Sequence, residues 1–378
     1  MKWQKRFWKN LNIYIPILVL LLSIIGLIMI SSAVEINKNP ENWNFIQKQL
    51  IAIIVGIVAI IIIQFYDYSL LKEYSDLIYI FTVGVLVLLL LIASERGGGR
   101  SWISIGSINF QPSEIAKIIV IIMLANVMSE MKDELKNLTG ILKSGFYAFI
   151  PFILIILQND LGTALVILFI YVVMLYIAGG NKKIMLIIFG GSFLFIILLL
   201  TSHFVFETPL PLIKDYQLNR LIVFVNPDID PQGAGYNILQ SKIALGSGKL
   251  FGKGLFSGTQ NQLNFLPEKH TDFIFFFFFE EFGFLGITLV LSLYLLLFWN
   301  MLKIAINARD DFGKLVVTGI LALIFFHVLQ NSGMTMGVMP ITGIPLPFIS
   351  YGGSAMLSNM IAIGIVININ VRKKKITF

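Results

Sequence analysis

The stretch LPEKHTDFIFFFFFEEFG, Leu266 to Gly283, sets Glu, Lys, His and Asp directly against a wall of phenylalanine. An acid, Asp272, at the edge of so apolar a run is what a membrane boundary produces. The chain leaves water there and continues into hydrocarbon as a helix. Composition agrees: the 378 residues are 57% hydrophobic and 13% charged, with a mean hydropathy of +0.85. A soluble domain carries roughly 25% charged residues. Apolar runs near 20 residues, long enough to cross about 30 Å of hydrocarbon, recur along the whole chain. They place spans near 13–33, 47–65, 74–93, 112–129, 144–157, 161–178, 183–201, 272–298, 313–333 and 350–370. The period-2 alternation of a β-barrel is absent, so the spans are helices. The expected fold is all-α: a polytopic membrane protein of about ten transmembrane helices, with a large extracytoplasmic loop, 202–271, between helices 7 and 8. No linker or charge block divides the chain, so residues 1–378 read as a single membrane domain. The basic lead-in MKWQKRFWKN looks like a signal peptide, but its apolar run is long and further spans follow, which favours an uncleaved helix.

Orientation follows from Lys and Arg. Most of the 28 basic residues fall in segments that share a side with the N-terminus, including Lys132, Lys136, Lys182, Lys183 and the RKKK tail. Both termini are therefore expected in the cytoplasm, and the net charge of +7 reads as a topology signal plus attraction to anionic membrane lipids, not as a sign of nucleic acid. The absence of cysteine removes disulfides, thiolate nucleophiles and Cys-based metal sites. His203, His270 and His327 lie far apart, so a His-built metal site is not expected. No P-loop, dinucleotide fingerprint or G-x-S-x-G motif is present.

What remains is polar material on the expected outer face, in three places. In GGGRSWISIGSINFQPSEIAK, Gly97 to Lys117, Pro112 suits a helix start, and Ser113 and Glu114 its first turn. Lys117 falls one turn beyond Glu114, on the same face and about 7 Å into the helix. Ionisable groups inside spans mark function by default; a structural Glu114–Lys117 pair, or a lysine snorkelling outward, is the plain alternative. In QNDLGTA, Gln158 to Ala164, Asp160 reads as an N-cap. The third place is the long loop itself, where NILQSKIALGSGKLFGKG (237–254) reads as a short amphipathic helix followed by glycine turns. Its Lys242, Lys249 and Lys253, with Arg220, suit an anionic headgroup, or are simply solvated.

NSGMTMGVMPITGIPLPFISYGGSA, Asn331 to Ala355, resembles the signature of the SEDS family (shape, elongation, division and sporulation proteins). QPSEIAK, NDLGTA and LPEKHTDFIF match the same family in order, so the resemblance covers nearly the whole chain. GTQNQLNFLPE, Gly258 to Glu268, is more similar to the rod-shape branch than to the division branch. The resemblance implies a ten-helix peptidoglycan glycosyltransferase of the bacterial cytoplasmic membrane. It would polymerise lipid II during cell elongation beside a class B penicillin-binding protein that crosslinks the strands. The family's essential acid falls on Asp272, and its important glutamate and lysine fall on Glu114 and Lys117. Three departures stand out: Asn159 where the family often has Pro, Ser101 before Trp102 where it often has Arg, with Arg100 one position earlier, and Phe276–Phe279 where small residues usually follow.

The chemistry can also be built from the residues. Lipid II brings a polyprenyl chain, a pyrophosphate and a sugar to the membrane surface, so its polymerase needs cations for the pyrophosphate and a base for the acceptor hydroxyl. Asp272 is the candidate catalytic base. Lys117, Glu114, Arg100, Trp102, Lys269, His270 and Lys249 form the candidate substrate-binding set. No cofactor is expected, and a divalent-cation requirement stays open. A lipid II flippase and a non-catalytic scaffold for the transpeptidase are the alternatives. Glu280 and Glu281, expected about 12 Å below Asp272 along a straight helix, are what a flippase reading would use.

Overall fold

Among the described residues ten apolar helices carry the chain, as their hydropathy dictates. The computed structural model describes residues 12–35, 43–93, 101–105, 108–206, 215–231, 233–258 and 271–373. We number the helices α1 (Tyr14–Glu35), α2 (Trp43–Phe65), α3 (Ser75–Ile92), α4 (Pro112–Glu130), α5 (Leu138–Leu157), α6 (Leu161–Ile177), α7 (Lys182–Met185, a π-helical turn Leu186–Gly190, then Gly191–Phe206), α8 (Ile274–Ile306), α9 (Asp311–Thr335) and α10 (Gly353–Val371). Among the described residues nine of these are long and apolar enough to cross a membrane; α6, at 17 residues, is the shorter tenth. α5 starts six residues before the expected span. Lys143 reads as loop by polarity, yet it sits on the exposed side of the first turns and pairs with Glu134 at 3.0 Å. The other elements are short. β1 (Ile103–Ile105) and β2 (Ile108–Phe110) pair antiparallel, and the long loop contributes helices Asp215–Val225 and Ala234–Gly248. The second of these is a helix where a short one was expected, and it is followed by the expected glycine turns, at Gly252 (φ 77°) and Gly254 (φ 99°).

α9 is the central post, packed on α4, α6, α8 and α10, while α10 lies chiefly along α2 and α8 along α1. Between α9 and α10 the chain does not simply turn. Residues 336–352 fold back into the bundle, burying Ile344, Leu346, Phe348 and Ile349. Backbone that enters an apolar interior must find partners there, and side chains supply them. Gln330 donates to Pro340 O (3.0 Å), Ser350 Oγ accepts from Leu346 N (2.8 Å), Gln49 brackets Ser350 O and Gly352 N, and the Tyr294 hydroxyl donates to Pro347 O. Gly26 of α1 lets this segment approach closely: a Cβ there would stand 2.7 Å from Ile349 Cα.

α8 is not straight. At Gly283 the backbone takes φ 66°, ψ −163°, a region open essentially to glycine alone. The end of the long loop is stitched into the break. Lys253 N and Gly254 N donate to Glu280 O (2.9 Å) and Glu281 O (3.0 Å), while Phe284 N and Leu285 N donate to Lys249 O (3.0 Å) and Leu250 O (3.1 Å). Lys253 Nζ adds an ion pair to the fully buried Glu280 at 2.7 Å, and Ser32 of α1 donates to Glu281. Ser32 lies three residues before the end of α1, so Glu281 belongs near that end of the bundle. The break lies beyond Glu280 and Glu281, so it leaves their expected separation of about 12 Å from Asp272 along the chain in place. A Cβ on Gly283 would come within 2.4 Å of Gly252 N and 2.6 Å of Leu250 O. Gly283→Ala is therefore expected to lower the thermal midpoint in detergent and the yield of folded protein. Gly246→Ala, where a Cβ meets nothing within 4 Å, should leave both unchanged. Equal midpoints for the two variants would refute the role assigned to the break.

The departure at Phe276–Phe279 is resolved by packing. Phe276 and Phe277 are fully buried, edge to face at 4.7 Å, and Phe278 stacks on Phe282 at 4.9 Å. These rings fill the interior of the bundle.

Candidate functional site

The first turn of α4 is fixed from two sides. Pro112 opens the helix in its first-turn position, where a missing N–H costs nothing. Ser354 and Ser358 of α10 then hold the strand-to-helix junction: Gln111 N donates to Ser354 Oγ (3.1 Å) and Ser358 Oγ donates to Glu114 O (2.8 Å). Asp160 caps α6 as expected, accepting from Thr163 N at 3.0 Å, and also accepts from Gln111 Nε2 at 2.9 Å. The motifs QPSEIAK and NDLGTA therefore meet through one carboxylate. Asn159 before it stands at φ 65°, a conformation asparagine tolerates and proline cannot adopt.

Lys117 points into the protein: its side chain is 1% exposed, and Nζ lies 2.7 Å from Glu114 Oε1. Snorkelling outward is thus excluded. His327 of α9 completes the group, with Nε2 3.1 Å from Lys117 Nζ. His327 was not among the residues singled out from sequence. It shares no local spacing with Lys117, from which 210 positions separate it, so only the tertiary fold could reveal it.

Asp272 lies half-buried in the turn that leads into α8, whose capping position is Phe273, one residue later. Asn331, one turn beyond His327 on α9, positions this turn. Its Nδ2 donates to Asp272 O at 2.9 Å and to Ile344 O at 2.8 Å. The carboxylate reaches the re-entrant segment at Gly343 (φ 74°), where a Cβ would stand 3.4 Å from Asp272 Oδ2. One face of α9 thus touches both the buried lysine and the turn that bears the acid.

The remaining expected residues are dispersed. Trp102 is half-buried beside β1. Lys249 ends the loop helix at φ 49° with its side chain exposed. Its carbonyl serves the break in α8, which is separated from the turn bearing Asp272 by a helical segment about 13 Å long that starts at Ile274. Arg100, Lys269 and His270 lie outside the described residues. Among the described residues no group of three or more His, Cys, Asp or Glu could hold a metal ion.

Known proteins resemble this one along its full length. A family model described as cell cycle protein, FtsW/RodA/SpoVE, matches residues 12–375. MrdB of Escherichia coli K12, named a peptidoglycan glycosyltransferase, is 34% identical over 376 residues, covering 99% of this chain and 98% of that protein. The stage V sporulation protein E of Bacillus subtilis 168 is 37% identical over 377 residues, covering 95% and 96%. A solved chain, from work on the structural coordination of polymerization and crosslinking by a peptidoglycan synthase complex, superposes with a TM-score of 0.80 at 26% identity over 95% of this chain and 97% of that one. Motifs, helical architecture and full-length similarity converge, and the chain belongs to the FtsW/RodA/SpoVE family of cell cycle proteins, the SEDS family.

Proposed function

We propose that this protein is a peptidoglycan glycosyltransferase that polymerises lipid II at the outer face of the bacterial cytoplasmic membrane, in the service of cell elongation. One observation carries the reading. In a chain 34% identical along its length to a relative named for that activity, one face of α9 draws together a buried ammonium and a carboxylate-bearing turn. The acid of that turn, Asp272, takes the proton of the acceptor sugar's 4-hydroxyl as its oxygen attacks the donor's anomeric carbon. The new glycosidic bond forms with inversion, the bond from that carbon to the pyrophosphate oxygen breaks, and undecaprenyl pyrophosphate leaves. Lys117, held by Glu114, meets the charge that grows on the departing pyrophosphate. Arg100, Trp102, Lys269, His270 and Lys249 belong to the same substrate-binding proposal. No cofactor enters the chemistry, and a divalent cation would act on the pyrophosphate alone.

A class B penicillin-binding protein is the proposed partner, by analogy with the synthase complex whose chain shares this fold. The excess of Lys and Arg on the N-terminal side supports cytoplasmic termini and an outward long loop. A reporter near Gln232 should read extracytoplasmic and one after Phe378 cytoplasmic; the reverse would overturn this topology and the site's placement with it. A flippase would need polar groups at mid-membrane, whereas Glu280 and Glu281 are engaged near the end of α1 by Lys253 and Ser32. The deciding experiment combines purified protein, partner and lipid II in detergent, with glycan polymer as the readout. Polymer supports the transferase; its absence with a competent partner would leave a flippase or a scaffold.

A further inference from the structure

Lys117 Nζ is held from two helices at once. One proton goes to Glu114 Oε1 at 2.7 Å and a second points at His327 Nε2, 3.1 Å away. An ammonium has no lone pair, so the imidazole nitrogen facing it must accept. His327 is then neutral, with its proton on Nδ1. That atom is buried and makes no formed hydrogen bond among the described residues; the backbone of Pro345, in the re-entrant segment, is its neighbour.

A lysine on a four-carbon stem with a single acceptor can swing about that contact. Two acceptors on different helices triangulate it and leave the third proton for a ligand. His327 is also tied to the acid. Asn331 follows it by one turn, about 6 Å along the same face, and bonds both Asp272 O and Ile344 O. The neutral imidazole and the amide therefore work as two marks on one rigid rod.

We infer that His327 is a positioning residue: its Nε2 fixes the Lys117 ammonium, so that α9 sets the separation between the cation for the leaving pyrophosphate and the base for the acceptor. This rests on the proposal that Lys117 serves the pyrophosphate. A packing role alone would make only the size of residue 327 matter. A positioning role makes a hydrogen-bond acceptor matter.

Gln and Met separate the two, being nearly equal in length and volume while only Gln accepts strongly. With folded protein bound to its partner, and lipid II as substrate, His327→Gln should keep kcat within about threefold of the parent. His327→Met should lose about tenfold or more in kcat with KM changed less than about twofold, because a misplaced donor fails chiefly in the transition state. In a Lys117→Ala background, His327→Met should have no further effect, since the residue acts through that lysine. If Met is not recovered folded, His327→Leu takes its place. Turnover near the parent level in the non-accepting variant would overturn the inference. So would an equal loss for Gln and Met, or an additive loss in the double variant. Normal polymerisation by Lys117→Ala would instead overturn the role of the lysine itself, a result recognisable without any change at His327.

Discussion

Asp272→Asn is expected to lose polymerisation by about 10²–10⁴-fold, the usual worth of a general base, while the protein inserts, folds and binds its partner as before. The side chain keeps its size. The main-chain carbonyl that Asn331 holds is untouched, and the capping position of α8 is Phe273. The amide cannot take the acceptor's proton at neutral pH. Lipid II binding should largely persist, because the prenyl and pyrophosphate contacts lie elsewhere. Thr271→Ala, which spares the acid one position away, is the control. Glycan polymer at near-parent rates from the folded Asn variant would remove Asp272 as the base. Glu280, the nearest other acid on α8, is ion-paired with Lys253 at the helix break and offers no ready substitute.

Lys117→Ala should also cut polymerisation strongly, by about 10²-fold or more if the ammonium stabilises the leaving charge. The single change has a second consequence that must be separated from the first. It strands Glu114, nearly buried, without its cation, and breaking such a pair costs about 3–5 kcal/mol. A low yield of the Ala variant would therefore prove little. The neutral pair Glu114→Gln with Lys117→Met removes both charges together and should recover the fold. If the pair exists only for structure, activity returns with stability. If Lys117 serves the pyrophosphate, the folded double variant stays inactive and Lys117→Arg alone keeps part of the rate. Recovered polymerisation in the neutral pair would sink the catalytic assignment.

The helices, the membrane and the chemistry-bearing motifs were legible in the sequence because each is a local signal. Apolar length gives a span, Pro112 opens α4, and Asp160 caps α6. What was not legible depends on approach in space. The start of α5 was hidden because a lysine at a helix end can face outward. The break in α8 was hidden because one glycine in a phenylalanine run carries no mark of its φ; the loop that fills the gap reveals it. His327 looked isolated because its partner lies on another helix. The fold-back of residues 336–352 was recognisable as a motif, but its depth follows from Gln49, Tyr294 and Gln330, scattered over three helices.

The stitch at Gly283 has a consequence for how the protein is made. Lys249 to Gly254 leave the ribosome before α8 does, yet their hydrogen-bonding partners exist only after α8 has entered the bilayer. Between those events the loop end and the unwound turn are both unsatisfied, so the newborn chain passes through a state with unpaired backbone at the membrane. Surveillance proteases act on such states. A change in the loop end would then lower the amount of protein in the cell before touching the rate of any molecule that matures. Growth assays on loop variants would register this as lost function, and only a measurement of protein level beside them tells a slow enzyme from a scarce one.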